Sequence, residues 1–319
     1  MNILLACDNK IAKYVPVLIT SILENQPAEH VAFYLMHSRI SEENLLFIRS
    51  AVMKHKNGSL HEVVPPAHMV DCFKEVGAQW YQSRWPKECF YYLMAHTVLP
   101  IGLDRILYLD IDTIVNGDLR PLYNTDFQGK PIAVIELRTL DQVRRGHNGI
   151  PADVGMIGKE RFNSGVVLIN LDYFRKHVDA RFYDNVIEGY RSKGKLGALF
   201  ADQGVANAAF HLDAKYVDKH FHSIYDTSED TVIFHAGGHS HKPWDIRYED
   251  SPYPPTALGI QNWETQMNKI WWKYAALSPN YNDLITSVHN ATTERLSRII
   301  AWKANLPTQQ FNQNFMAFG

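Results

Sequence analysis

Arg105-Ile-Leu-Tyr-Leu-Asp-Ile-Asp-Thr-Ile-Val-Asn-Gly-Asp118 decides how the rest of the chain is read. Its run from Ile106 to Leu109 is apolar, β-branched and aromatic, the pattern of a central strand covered on both faces. The run ends in acid. In an extended chain residues two apart point the same way, so Asp110 and Asp112 are expected to present their carboxylates together while Leu109 and Ile111 turn to the packed side. Two carboxylates at the mouth of a buried strand repel each other and lose hydration, and a cation relieves both costs. Asn116-Gly117-Asp118 is turn and N-cap chemistry. It would redirect the chain into a short helix and leave the strand end open as a crevice, the place where open α/β sheets bind ligands.

Working outward, strands alternate with helices. Asn2 to Cys7 reads as a buried strand, and Asp8-Asn9-Lys10 turns into a helix with Val15, Leu18, Ile19, Ile22 and Leu23 at helical spacing. Val31 to His37 is a second strand. Ser41-Glu42-Glu43 opens a second helix carrying Leu45, Leu46, Ile48 and Val52, and Leu60 to Val64 is a third strand. This alternation predicts an α/β fold with a mostly parallel, Rossmann-like sheet and helices on both faces. The first unit has no glycine-rich phosphate loop. A helical, aromatic stretch follows between Trp80 and Pro100, and it reads mainly as core.

Past the acidic segment, Pro131 to Ile135 is another strand, ending at Glu136. Residues 138–161 are polar and rich in glycine and arginine, suited to an anionic ligand or to plain solvation. Phe162-Asn163-Ser164-Gly165 leads into an apolar strand, pairing hydrogen-bonding side chains with a backbone that a ligand can approach closely. Ala201-Asp202-Gln203 starts a helix, where capping alone accounts for Asp202 but not for Gln203. Thr231 to Phe234 is a last strand and delivers His235. We expect a first domain over 1–250 and a helical extension over 251–319, with helices at Gln261–Leu277 and Asp283–Ala304. The last helix carries an apolar stripe, Ile285, Val288, Leu296, Ile299, Ile300 and Trp302, that could pack on the domain, pair with another chain or lie on a membrane surface.

Composition narrows the class. The chain has 319 residues, 46% hydrophobic and 21% charged, ample for the core of a globular enzyme. A formal net charge of -2 and no basic patch argue against a nucleic-acid partner. Cys7, Cys72 and Cys89 show no Cys-x-x-Cys spacing, so no disulfide framework or zinc site is expected, and a reducing cytoplasm fits. The first residues lack a basic n-region, and no stretch approaches the roughly 20 apolar residues that span a bilayer.

Tyr108-Leu-Asp-Ile-Asp-Thr113 with Gly117-Asp118-Leu119, then Phe162-Asn-Ser-Gly-Val166, then His235-Ala-Gly-Gly-His-Ser-His-Lys242-Pro-Trp244, resemble glycosyltransferase family 8 in their order and content. That group includes glycogenin and the bacterial lipopolysaccharide α-galactosyl- and α-glucosyltransferases, and the likeness runs from residue 1 to about Asp245. It implies a nucleotide-diphospho-sugar transferase fold and a metal-dependent, retaining transfer of galactose or glucose. The donor would be UDP-galactose or UDP-glucose, and the acceptor a glycan such as lipopolysaccharide. By resemblance, Asp110, Asp112 and His235 hold the metal; Asp8, Asn9, Tyr91, Asn163, Gly238 and Lys242 meet the nucleotide; Asp202, Gln203 and Glu136 face the sugar. On residue chemistry alone Asp8 is equally a helix cap. Two carboxylates and an imidazole favour Mn²⁺ over Mg²⁺, which prefers all-oxygen shells. Such an enzyme would work in the cytoplasm, with peripheral contact at the inner face of the membrane as a further expectation.

Two departures stand out. The family writes Tyr-x-Arg or Tyr-Arg where this chain has Tyr91-Tyr92-Leu93, and one extra residue separates His235 from Lys242, admitting His239 and His241 as competing ligands. Two other classes share parts of the pattern, a metal-dependent phosphohydrolase and a non-catalytic sugar-nucleotide-binding module.

Overall fold

A computed structural model of the chain describes residues 1–78, 86–136, 162–199, 201–224, 230–237, 242–244 and 258–303. Gly238, His239, His241 and the polar segment 138–161 lie outside the described residues, as does the side chain of Glu136.

The strands are β1 Asn2–Ala6, β2 Val31–Met36, β3 Gly58–Val63, β4 Arg105–Leu109, β5 Thr113–Val115, β6 Ile132–Glu136, β7 Phe162–Asn170, β8 Lys215–Val217, β9 His222–Ser223 and β10 Ile233–His235. Seven of them form the main sheet in the order β3-β2-β1-β4-β7-β6-β8, and β5-β10-β9 form a smaller one. The main sheet is mostly parallel; β7 alone runs antiparallel to both its neighbours, β4 and β6. That reversal brings the start of β7 to the same edge as the ends of β1 and β4.

Both faces of β4 are covered, as its unbroken apolar run requires. Leu107 and Leu109 pack with Ile3, Leu5 and Phe33 in one core, whereas Ile106 and Tyr108 pack with Leu4, Tyr34 and Ile169 in the other. The helices are α1 Val15–Asn25, α2 Glu42–Met53, α3 Leu171–His177, α4 Ala180–Arg191, α5 Ala201–Phe210, α6 Leu258–Ala275 and α7 Tyr281–Lys303, with shorter turns between. Helix α2 begins as its sequence dictates: Ser41 Oγ accepts the backbone N–H of Asn44, and Glu42 and Glu43 lie in the positive first turn. The 87–97 stretch folds as consecutive short helical turns, with Phe90, Tyr91, Tyr92 and Leu93 buried.

Helix α6 packs on α1. Met267, Trp271, Tyr274 and Ala275 join the same core as Leu18, Ile19 and Ile22, and Asn25 Nδ2 donates to Tyr274 Oη at 2.7 Å. In α7, Leu284 is buried and Ile285 is exposed. No helix among the described residues is long and apolar enough to cross a membrane.

Candidate active site

The acidic segment leaves the sheet differently from the extended strand that its alternation predicts. Strand β4 stops at Leu109, and the carbonyl of Asp110 accepts both the N–H of Thr113 at 3.1 Å and its Oγ1–H at 2.7 Å. Asp110 to Thr113 is therefore a tight turn, and the two carboxylates converge because the chain folds back between them. Leu109 and Ile111 are buried as expected. After the turn the chain runs as β5 and pairs antiparallel with β10, Thr113 opposite His235. The N–H of Ala236 donates to the Asp112 carbonyl at 2.9 Å, fixing the two segments together.

This pairing brings a histidine distant in sequence to the acids. His235 Nε2 lies 3.1 Å from Asp112 Oδ1 and 3.6 Å from Asp110 Oδ2. One ligand atom from each of Asp110, Asp112 and His235 falls within 4.8 Å of the others. Two hard oxygens and one imidazole nitrogen at that spacing fit a divalent ion such as Mn²⁺. The backbone is cut away to make room. A Cβ on Gly165 would come 2.2 Å from His235 Cε1, and one on Gly237 would come 2.9 Å from the same atom. The imidazole thus occupies a slot that only glycine leaves open.

Opposite charges meet within the cluster. Lys242 Nζ donates to Asp112 and to the Ala236 carbonyl. Burial pushes the Asp112 carboxyl up, but Lys242 and His235 outweigh it and hold the group below the ordinary carboxylate range. Asp110 moves the other way, raised by burial and by Asp112, with Tyr108 Oη donating to its Oδ1 at 2.6 Å. Behind the cluster, His235 Nδ1 meets His222 Nε2 at 3.0 Å, both rings buried. Burial and the neighbouring His235 push His222 well down, so it stands as a neutral imidazole. Sequence reasoning passed over His222, and nothing about a histidine beside Phe221 marks it.

A second polar cluster borders the first. Asn163 Nδ2 donates to Gln203 Oε1 at 2.9 Å, the Ser164 N–H reaches the same oxygen at 3.3 Å, and Asn163 Oδ1 accepts the Gly165 N–H at 2.8 Å. Gln203 is thereby locked to the start of β7, one residue from the glycine under His235. Asp202 is buried, and its carboxyl is pushed up to about 7 by that burial and by the charge of Asp110. Helix α5 opens on Ala201 at φ 48°, a left-handed backbone that costs a non-glycine residue roughly 1–2 kcal/mol, strain of the kind that collects at functional sites. Tyr92, in the Tyr91-Tyr92-Leu93 stretch that departs from the arginine-containing pattern, stacks on Tyr108 at 4.3 Å and 15°. Its hydroxyl is buried without a well-formed hydrogen bond, and burial together with Asp202 drives its pKa well up.

The residues assigned to the nucleotide are less concentrated. Asp8 Oδ1 accepts the N–H of Ile11 at 3.1 Å, closing the turn that precedes the first helix; it caps no helix, because the short turn at Ala12–Tyr14 starts after Ile11 and α1 starts after Tyr14. Asn9 Oδ1 accepts from the Ser41 N–H at 2.8 Å and from Asn44 Nδ2 at 2.9 Å, tying the β1 exit to the start of α2. Tyr91 is buried in the core, its hydroxyl turned to Ser38.

The model for glycosyl transferase family 8 matches residues 2–246. A lipopolysaccharide 1,2-glucosyltransferase of Escherichia coli is 24% identical over 266 residues, covering 77% of this chain and 74% of that protein. A lipopolysaccharide 1,3-galactosyltransferase of Salmonella typhimurium is 21% identical over 290 residues, covering 87% and 81% respectively. Among solved structures, a galactosyltransferase in complex with donor and acceptor sugar analogues aligns at a TM-score of 0.62 and 23% identity, over 84% of this chain and 95% of that one. That likeness is one of fold.

Proposed function

The chain belongs to glycosyltransferase family 8, and from that premise we propose that it transfers galactose or glucose from a UDP-sugar to a glycan hydroxyl with retention of the α configuration. The observation carrying this reading is the convergence of Asp110, Asp112 and His235 within 4.8 Å, beside the Asp202 and Gln203 cluster. The relatives named as lipopolysaccharide glucosyl- and galactosyltransferases favour lipopolysaccharide or a similar surface glycan as acceptor.

Asp110, Asp112 and His235 would hold a divalent cation, Mn²⁺ by the chemistry of its donors, which supplies Lewis-acid charge to a departing diphosphate. Lys242, already seated at this cluster, adds a fixed positive charge on the same side. Asp8, Asn9, Tyr91, Asn163 and Gly238 are assigned to the nucleotide side, and Glu136, Asp202 and Gln203 to the sugar. In the reaction the anomeric C–O bond to UDP breaks and a bond to the acceptor oxygen forms. The acceptor's proton passes to the departing phosphate oxygen, so attack comes from the leaving-group face. Gln203 is an amide, a poor nucleophile, and it is held by Asn163 and the Ser164 N–H; its part is to orient the sugar.

Turnover of UDP-galactose and UDP-glucose with lipopolysaccharide acceptors, with and without chelator, tests the reading. We expect transfer that chelator stops and that Asp112→Ala abolishes, with no phosphate released from simple phosphomonoesters. UDP binding that is indifferent to chelator, measured by calorimetry, would overturn the metal role.

A further inference from the structure

The family match ends at residue 246, yet Lys242, which lies inside it, is bordered by residues from outside it. The carbonyl of Pro243, the residue directly after Lys242, accepts the indole N–H of Trp272 at 3.0 Å. The next ring, Trp244, stacks on Tyr14 at 3.8 Å and 14°, and stands 5.5 Å from Trp271. Trp271 is buried between these rings and Trp272, edge-on to the latter at 4.9 Å. Helix α6 carries both tryptophans and is itself anchored on α1.

We propose that Trp272 is a positioning residue for Lys242, its indole N–H fixing the backbone from which the lysine reaches the site. The geometry favours position over mere packing. The Lys242 ammonium meets Asp112 and the Ala236 carbonyl, and the finite length of its stem lets it do so only while its backbone stays within reach of them. Trp272 makes a directional bond one residue from that backbone, whereas Trp271 supplies the buried apolar mass. The inference rests on the proposed role of Lys242 at the diphosphate.

Trp272→Phe keeps an aromatic ring and removes the N–H. The readouts are Mn²⁺ affinity without nucleotide and UDP affinity at saturating Mn²⁺, both by calorimetry on the full chain, for Trp272→Phe, Lys242→Ala and the double variant. We expect Trp272→Phe to leave Mn²⁺ affinity unchanged and to weaken UDP about three- to tenfold, the scale of one neutral hydrogen bond. In the Lys242→Ala background the same change should weaken UDP no further, because the group it positions is gone. Three results would overturn the inference: unchanged UDP affinity in Trp272→Phe while Lys242→Ala weakens it, a loss of Mn²⁺ affinity in Trp272→Phe, or additive losses in the double variant. Unchanged UDP affinity in Lys242→Ala would overturn the assigned role of Lys242 itself, and the inference with it.

Discussion

The backbone of Gly165 passes so close beneath the ring of His235 that a single methyl group would overlap the imidazole, at 2.2 Å from Cε1, and crowd Asp110 Oδ2 at 2.7 Å. Strand β7 thus forms the floor of the cluster of Asp110, Asp112 and His235. Gly165→Ala should push both groups off position, lowering Mn²⁺ affinity by at least tenfold and costing roughly 1–3 kcal/mol of stability through overpacking. Calorimetric Mn²⁺ titration beside a thermal melt measures both. A variant that binds Mn²⁺ like the wild type would show that the floor has room to give.

His222 holds His235 from behind at 3.0 Å. Outer groups that orient a metal-binding imidazole typically contribute 10- to 100-fold to affinity. His222→Phe keeps a ring in the space and removes the nitrogen, so Mn²⁺ affinity should fall within about that range while the fold persists. Electron paramagnetic resonance of free and bound Mn²⁺ reads this directly, and equal affinity in the variant would leave His222 a packing residue.

The carboxyl of Asp202 carries a pH signature. Its folded value, about 7, lies above the ordinary 3.8, so the fold favours the protonated acid. Its contribution to stability is therefore fully present below the ordinary value and lost as pH rises through 7. Asp202→Asn removes that loss. Without metal, the stability difference between variant and wild type should shift in favour of the variant from pH 5 to pH 8, by on the order of 2–3 kcal/mol. Urea denaturation in chelator at the two pH values tests this; a pH-independent difference would contradict it.

Among the described residues the Gln203 side chain hydrogen-bonds Asn163 and the Ser164 N–H rather than Asp110, Asp112 or His235. Gln203→Ala should keep UDP affinity and lower kcat for transfer on the order of 10²-fold, the cost of misplacing reacting groups. Paired UDP titration and single-turnover transfer separate the two effects. A loss of UDP binding in proportion to the rate would move Gln203 to the nucleotide side.

The parts of this architecture set by local pattern were legible in the sequence. The apolar run of β4, the Ser41 start of α2 and the aromatic core around Phe90 each follow from spacing and capping. The convergence of Asp110 and Asp112 was legible as an outcome but not in its cause. Extended alternation predicts it from side-chain direction alone, whereas the actual turn depends on Thr113 capturing the Asp110 carbonyl twice. His222 and Trp272 were illegible for a different reason. Their roles exist only through contacts made by tertiary structure, β9 lying parallel to β10 and α6 lying over Pro243, and no local spacing encodes either.

The reversed direction of β7 has one more consequence. Glu136 ends β6 directly opposite Phe162, which begins β7, so the chain between them leaves from and returns to the same edge of the sheet, at the mouth that Asn163 and Gly165 line. Two strands of opposite sense therefore meet at one rim, β4 departing at Leu109 and β7 arriving at Phe162, so residues far apart along the chain, Asp110 and Gly165, become immediate neighbours there without any crossover between them.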